Sequence, residues 1–142
     1  MNSIEEVLSI VPPAARLLGR EVIAFDQERG GATLRFTAQP EFLNRHGTVQ
    51  GGLLAAMLDS ATALALYSVL EPELTAVTTN LSVAFKKPAK QGTLIAKSTL
   101  ISRDAREAHT AGELQDPDGN VVATATATLR IIKRKRAEGA ST

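Results

Sequence analysis

Residues 44–59 read NRHGTVQGGLLAAMLD, and they lead from a polar loop into the most apolar segment of the chain. From Gly51 to about Leu70 the sequence is rich in Ala, Leu and Met, which favour helix. The segment is apolar nearly all round, which is typical of a buried helix. The sequence therefore predicts one long central helix that Glu71 and Pro72 end.

Strand patterns flank this helix on both sides. Apolar and polar residues alternate in the later segments, as they do in half-buried strands, and Gly, Pro and Asp mark the turns between them. The predicted strands are Glu21–Asp26, Ala32–Ala38, Thr75–Phe85, Thr93–Ser102, Glu107–Leu114 and Asn120–Ile132. In the third strand, one face is expected to carry Val77, Thr79, Leu81, Val83 and Phe85. In the last strand, one face carries Ala123, Ala125, Ala127 and Leu129. A row of alanines allows a helix to approach a sheet closely.

The order of elements predicts an α+β fold in which one curled sheet wraps around the central helix. With 142 residues, the chain fits a single domain over residues 1–142. We expect an N-terminal helical segment over residues 1–19, with a capping box at Ser3 and Glu6 and a helical turn at Pro13–Leu18. Residues 133–142 are expected to form a basic, flexible tail.

Composition excludes several classes of function. The chain has no Cys, which excludes disulfides, thiolate catalysis and cysteine metal sites. Its two histidines, His46 and His109, do not have metal-ligand spacing, so we expect no metal and no cofactor. The net charge of +1 gives no reason to expect nucleic acid or a membrane as partner, and the basic run at Arg134–Arg136 is interpreted as a solvated tail. The N-terminus lacks the pattern of a secretory signal, and the default expectation is a cytoplasmic protein.

Two features of residues 44–59 indicate chemistry. Gly51 and Gly52 lie where the long helix begins, and the first amides of a helix have no intrahelical acceptor. These amides lie at the positive end of the helix dipole and could form an oxyanion hole. Asp59 is the only charged residue between Arg45 and Glu71, and a buried carboxylate is costly unless it is paired or functional. Two structural alternatives stay open: the glycines could form a plain tight turn, and Asp59 could hydrogen-bond a Thr or Ser of the sheet.

The chain resembles hot-dog-fold acyl-CoA thioesterases of the phenylacetic-acid-degradation (PaaI-like) type over roughly residues 18–132. The sharpest part is the pattern NxxGTxxGG at residues 44–52 followed by Asp59, and residues 80–90 (NLSVAFKKPAK) also fit. The resemblance implies that Asp59 is the general base or nucleophile and that Gly51 supplies an oxyanion-hole amide. It also implies that Asn44 positions water or the carboxylate and that Thr78 helps to orient the site.

Gln50 departs from the family pattern, which has His directly before the two glycines. A Gln side chain can donate a hydrogen bond to a thioester carbonyl but cannot titrate. A polarising role at this position could therefore survive, whereas a proton-transfer role could not. His46 lies in the preceding loop, and we interpret it as peripheral rather than as a substitute.

Helix geometry predicts that one active site needs two chains. At about 1.5 Å per residue, Gly51 and Asp59 lie about 12 Å apart on one helix. A base must come within about 3 Å of its proton or of a water next to the carbonyl. A two-fold dimer would bring Asp59 of one chain to Gly51 of the other. We therefore expect a homodimer with shared sites, and the resemblance implies further assembly into a homotetramer.

The resemblance implies an acyl-CoA substrate, aliphatic or aryl, that is hydrolysed to the free acid and CoA. The phosphates of CoA need cations, and the candidate residues lie on two turns: Lys86, Lys87, Lys90, Arg103 and Arg106. The acyl pocket is expected to be lined by Leu54, Leu58, Thr62 and Tyr67.

Two other functions remain open. One is a non-catalytic acyl-CoA-binding or oligomeric hot-dog protein, which Gln50 favours. The other is an enoyl-thioester hydratase, which would use an Asp and His pair on the helix. No His follows Asp59 before His109, which counts against the hydratase.

Overall fold

The computed structural model describes residue 4 and residues 8–135. A short helix α1 spans Pro13–Leu17, and the long helix α2 spans Gly51–Tyr67. The strands are β1 (Glu21–Asp26), β2 (Gly31–Ala38), β3 (Leu74–Phe85), β4 (Gly92–Arg103), β5 (Glu107–Gln115) and β6 (Val121–Lys133). The predicted capping box at Ser3 and Glu6 and residues 136–142 of the predicted tail lie outside the described residues.

The six strands form one sheet in the order β1-β2-β4-β5-β6-β3, and every neighbouring pair is antiparallel. The sheet curls around α2, which packs against β2 through β6. This is the α+β hot-dog fold, as the order of predicted elements indicated. β1 and β3 are the two edges of the sheet.

The helix α2 ends at Tyr67, earlier than the predicted Leu70. The cause is Ser68, whose Oγ donates to the Ala65 carbonyl at 2.7 Å and accepts the Gly31 N–H at 3.0 Å. A serine hydroxyl that bonds the preceding turn competes with continued helix. The same hydroxyl therefore ends α2 and fixes it to the start of β2.

The core forms where α2 meets the alanine face of β6. The predicted face of β6 is confirmed, because all of its members are at most 5% exposed: Ala123, Ala125, Ala127 and Leu129. The approach of helix and sheet is equally close at β5, where a Cβ on Gly112 would lie 3.2 Å from Thr62 Cγ2. Small residues on the sheet thus set the distance to the helix, and packing at this distance leaves little room for larger side chains.

The predicted face of β3 is wrong for its first half. The register with β6 shifts between Thr78 and Asn80, so that Thr79 is the extra residue of a β-bulge. One extra residue reverses which side chains point to the core. Thr78 lies opposite the fully buried Leu129 and shares its face, whereas Val77 is 49% exposed. After the bulge, the side chains that face the helix are those predicted: Leu81, Val83 and Phe85.

The prediction that α2 is buried holds for one side of the helix only. The side that packs on the sheet is buried, but Gly52 is exposed and the rest of the opposite side is half-buried. These half-buried residues are mostly small or apolar: Leu53, Ala55, Ala56, Ser60, Ala63 and Tyr67. One chain therefore leaves a mostly apolar strip of its central helix incompletely covered.

Candidate active site

The first two amides of α2 are free to bind a ligand. Gln50 is the N-cap residue, and its carbonyl accepts the N–H groups of Leu53 and Leu54. The N–H groups of Gly51 and Gly52 have no acceptor within residues 8–135. Because they also lie at the positive end of the helix dipole, they can stabilise an oxyanion. The glycine pair is thus part of a helix start, not the plain tight turn that was the structural alternative.

A set of backbone hydrogen bonds holds this helix start in place. The Gln50 N–H donates to the Phe42 carbonyl at 2.8 Å, and the Val49 N–H donates to the Ala89 carbonyl at 2.8 Å. The Gln50 side chain is exposed and makes no capping bond. Its amide is therefore available to a substrate carbonyl, as the sequence predicts for a residue in the place of the family's His.

Asn44 is occupied in its own loop. Its Oδ1 accepts the N–H groups of His46 at 2.9 Å and Thr48 at 3.3 Å, and its Nδ2 donates to Thr48 Oγ1 at 3.1 Å. These bonds shape the turn that leads into α2. Within one chain, Asn44 thus positions the helix start rather than Asp59. His46 is exposed in the same loop, as expected for a peripheral residue.

Asp59 carries a buried carboxylate oxygen that is unpaired. Its Oδ1 is inaccessible to solvent, and the carboxylate makes no hydrogen bond with the described residues. An unsatisfied buried acceptor costs about 1–3 kcal/mol, and more when it is charged. The structural alternative of a hydrogen bond to a Thr or Ser of the sheet is wrong. A native fold leaves few buried polar groups without a partner, and a catalytic role is one reason for such a group.

Two contacts fix how α2 lies along β3. At one end Gly51 lies against the ring of Phe85, and at the other the Tyr67 hydroxyl bonds Thr75 Oγ1 at 2.6 Å and accepts the Ala76 N–H at 3.1 Å. The helix therefore runs antiparallel to β3. Asp59 lies about 12 Å along the helix from Gly51, which corresponds to about four residues of a strand.

This spacing places Asp59 level with the bulge of β3, at about Asn80 and Leu81. The bulge turns Thr78 toward the helix side of the sheet, so Thr78 and Asp59 of one chain lie in the same region. Gly51 lies at the far end of the helix. Thr78 and Asp59 therefore lie at the same level along β3 and α2, whereas Asp59 is about 12 Å from the oxyanion candidate of its own chain.

A groove of about 320 Å³ leads away from Gly51 along the end of β3. Its walls include Leu54 on the helix, the ring of Phe85, and Lys86 and Lys87 on the following turn. Lys87 Nζ makes one long hydrogen bond, at 3.5 Å, to Asn120 Oδ1. Lys90, which follows three residues later in the sequence, is exposed. The predicted lysines thus lie beside the candidate oxyanion site.

The expected cluster of five cations does not form within one chain. Arg103 and Arg106 lie at the other end of β4, about 36 Å from Gly92 at about 3.3 Å per residue. Arg103 is also paired with Glu71 through bonds of 2.8 and 3.4 Å, and this pairing holds the pKa of Glu71 below its usual range. Its charge is therefore already compensated.

The predicted acyl-pocket residues have mostly structural roles in one chain. Leu58 and Thr62 are fully buried in the core, and Thr62 Oγ1 donates to the Leu58 carbonyl at 2.7 Å. Tyr67 is bonded to β3 through its hydroxyl. Of the predicted set, Leu54 lines the groove. A uniformly apolar helix gives no sequence signal for which side faces a ligand.

Comparison with known proteins places this arrangement in a family. The family profile described as Thioesterase superfamily matches residues 46–123, which include the helix start, Asp59, Thr78 and the lysine turn. The chain belongs to the thioesterase superfamily. The solved structure of a phenylacetic acid degradation-related protein from Ralstonia eutropha JMP134 is 38% identical, with a TM-score of 0.84, and the match covers 89% of this chain and 96% of that one.

Two further relatives of this superfamily member extend the comparison. The E. coli PaaI protein, from the phenylacetic acid degradation operon, is 25% identical with a TM-score of 0.80, and the match covers 90% of each chain. A candidate esterase of Saccharolobus solfataricus is 24% identical over 135 residues, which are 95% of this chain and 94% of that protein. The predicted resemblance to PaaI-like thioesterases is confirmed.

Two kinds of feature are absent from the described part of this thioesterase-superfamily chain. Among the described residues, no group of three or more His, Cys, Asp or Glu side chains could hold a metal ion. The part of the chain that the structure describes contains no helix long and apolar enough to cross a membrane. The contact of Phe85 with the helix start is the one site feature that the sequence pattern does not indicate, because alternation predicts Phe85 only as a member of one face of β3.

Proposed function

We propose that this member of the thioesterase superfamily hydrolyses an acyl-CoA thioester, aliphatic or aryl, to the free acid and CoA. The observation that carries the proposal is the buried, unpaired Oδ1 of Asp59 on a helix whose first amides are free. A carboxylate and an oxyanion hole are the two groups that acyl transfer needs.

The proposal requires two chains, because Asp59 and Gly51 of one chain are about 12 Å apart. The surface of a single chain supports a homodimer through β3. This strand is an edge of the sheet, and Val77 and Phe85 on it are 49% and 56% exposed. The half-buried strip of α2 adjoins it through Gly51 and Tyr67. An unpaired edge strand is a template for pairing with a second copy.

The positions of Gly51 and Asp59 relative to β3 define the register in which the two copies must pair. Gly51 is level with Phe85, and Asp59 is level with about Leu81. A shared site forms when Phe85 of one protomer lies opposite Leu81 of its partner in an antiparallel pair. The two-fold axis then passes near Val83, and both copies contribute equivalently to two sites. Further pairing of dimers into a homotetramer remains part of the proposal, as implied by the family.

In the proposed mechanism the thioester carbonyl accepts the Gly51 N–H of one protomer. The Gln50 side-chain amide adds a second donor. The partner's Asp59 either takes a proton from water, whose oxygen then bonds to the carbonyl carbon, or bonds to that carbon itself. In the first route the tetrahedral intermediate expels the CoA thiolate, which takes the proton from Asp59. In the second the thiolate leaves a mixed anhydride, which water opens. Both routes remain open.

The remaining residues have supporting roles. Thr78 lies on the helix side of the sheet at the level of Asp59 and helps to orient the site, without a hydrogen bond to that carboxylate in one chain. Asn44 holds the loop that begins α2. Lys86, Lys87 and Lys90 bind the phosphates of CoA as point charges. Arg103 is compensated by Glu71 and, with Arg106, lies too far along β4 to join them in one chain.

A panel of acyl-CoA esters with a thiol reagent tests this function, because hydrolysis releases free CoA. We expect release by the wild type and none by Asp59→Asn, with binding retained. Full turnover by Asp59→Asn would contradict the assignment. Tight binding without release by the wild type would instead support the non-catalytic acyl-CoA-binding function, which Gln50 favours.

The structure argues against the enoyl-thioester hydratase. His109 is the only histidine after Asp59 in the sequence. It is exposed and lies opposite the half-buried Thr128, and its ring contacts Thr128 Oγ1 at 3.3 Å and Glu107 at 3.2 Å. These residues are on the outer face of the sheet, away from α2. His109 therefore cannot pair with Asp59 of its own chain.

A further inference from the structure

The ring of Phe85 lies directly against the backbone of Gly51. A Cβ at Gly51 would lie 3.2 Å from Phe85 Cζ and 3.3 Å from Phe85 Cε1, so the far edge of the ring meets the glycine. The ring is 56% exposed, whereas Phe36 and Phe42 are buried in the core. A single exposed apolar side chain is ordinary. An exposed ring against the residue that carries a free helix-start amide is a surface beside which a ligand at this amide binds.

The position of a bound thioester follows from covalent structure. The sulfur is bonded to the carbonyl carbon, so a carbonyl oxygen at the Gly51 N–H brings the sulfur close to the same backbone. Sulfur makes favourable contacts with aromatic rings at about 5 Å, often at the ring edge. The edge of Phe85 is the part that faces Gly51. Lys86 and Lys87 line the same groove, which favours a path for the CoA arm across the ring.

We propose that Phe85 contacts the thioester sulfur and makes this site prefer thioesters to oxygen esters. The inference rests on the proposed function, because it takes the carbonyl position from the Gly51 oxyanion hole. An oxygen ester with the same acyl group and arm can use the same amide. The oxygen ester places a smaller, less polarisable atom against the Phe85 ring and therefore lacks the favourable contact between sulfur and the ring. Phe85 is therefore a specificity residue rather than a member of the acid–base machinery.

The test compares two matched substrates in three proteins. The substrates are the thioester of N-acetylcysteamine and the oxygen ester of N-acetylethanolamine, both with the acyl group that the wild type cleaves best. They differ only in the sulfur or oxygen atom and contain no phosphate, so the lysines do not contribute. The proteins are the wild type, Phe85→Leu, which keeps apolar volume without a ring, and Phe85→Tyr, which keeps the ring. The measurement is kcat/KM for acid release, with size-exclusion chromatography of each protein.

We expect the thioester-to-ester ratio of kcat/KM to fall about two- to tenfold in Phe85→Leu and to stay near the wild-type value in Phe85→Tyr. Comparing this ratio between the variant and the wild type cancels the different intrinsic reactivity of the two substrates. An unchanged ratio in Phe85→Leu would overturn the proposal and leave the hydrolase function intact. An equal loss on both substrates, or a change in assembly, would show that the ring is structural and would overturn it as well. If the wild type cleaves no thioester, both the proposed hydrolase function and the proposed preference for thioesters are wrong.

Discussion

The two adjacent glycines at the start of α2 form a matched pair for testing the site. A Cβ at Gly51 would meet the Phe85 ring at 3.2 Å, whereas a Cβ at Gly52 would have nothing within 4 Å. Both substitutions to Ala keep the backbone amide and remove a flexible glycine from the helix. The only local difference is the contact with Phe85, so the comparison isolates the geometry of the oxyanion site.

The expected magnitudes follow from these contacts. Ala in place of a helical Gly stabilises by about 0.5–1 kcal/mol, which corresponds to about 2–4 °C in Tm for a chain of this size. Gly52→Ala should show this gain in full. In Gly51→Ala the ring or the helix start must move by a few tenths of an ångström, which offsets part of the gain. Loss of one oxyanion donor costs about 10²–10³ in kcat. A displaced donor should cost less, about ten- to hundredfold in kcat/KM.

The assay is acyl-CoA hydrolysis with a thiol reagent, together with thermal unfolding of the same samples. We expect Gly51→Ala to be folded and to lose activity, and Gly52→Ala to be more stable and to keep most of its activity. Equal activity in the two variants would refute the placement of the thioester carbonyl at Gly51. A large loss in Gly52→Ala alone would move the oxyanion site by one residue.

Four other predictions follow from the same structure. Asp59→Asn should abolish turnover without lowering the free energy of unfolding, because Asp59 Oδ1 is buried without a partner, and chemical denaturation beside the kinetic assay checks this. A loss of stability would instead show a structural carboxylate. Lys86→Gln with Lys87→Gln should raise KM for acyl-CoA but not for the N-acetylcysteamine ester, whereas Arg103→Gln should leave both KM values unchanged. In that Arg103 variant the pKa of Glu71 should return toward its ordinary value. A depressed carboxyl pKa contributes stability above the unfolded pKa that is lost as pH falls through the folded pKa, so the difference in urea stability should be present at pH 7 and be lost as the pH falls through the lowered pKa of Glu71. Because the chain has no Cys, Val83→Cys on the proposed axis, where the two copies face each other directly, should form a disulfide-linked dimer under mild oxidation, and Val77→Cys, which is more exposed to solvent but far from the axis, should not. Crosslinking of Val77→Cys alone would contradict the proposed register.

The fold could be predicted from the sequence because its signals are local and agree with one another. The order of the strands and the start of the helix follow from alternation, turn residues and the run of helix formers that begins at Gly51 and is predicted to reach about Leu70. Where prediction failed, the cause was a tertiary interaction. The end of α2 depends on a bond from Ser68 to Gly31, and these residues are far apart in sequence. The bulge at Thr79 depends on pairing with β6, which no periodicity within β3 reveals.

The candidate site could be predicted only in part. Gly51 and Asp59 have local signals, namely glycines at a helix start and one charge in an apolar helix, whereas Gln50 was found through the family resemblance. The distance along α2 follows from helix geometry alone. The separation of Arg103 from the lysines depends on the length and direction of β4, and the contact of Phe85 with Gly51 depends on how α2 lies on β3. Tertiary packing sets both this separation and this contact, so neither could be predicted from the sequence.

The central claim is that one active site takes Asp59 and Gly51 from different chains. Co-expression of Asp59→Asn with Gly51→Leu, each inactive alone, tests it most directly when the mixed dimer is isolated with two different affinity tags. Each mixed dimer should contain one intact site and one doubly altered site, so an unseparated statistical mixture should regain about a quarter of wild-type activity and the purified mixed dimer about half. A mixed dimer that is confirmed by both tags and remains inactive would contradict the shared site.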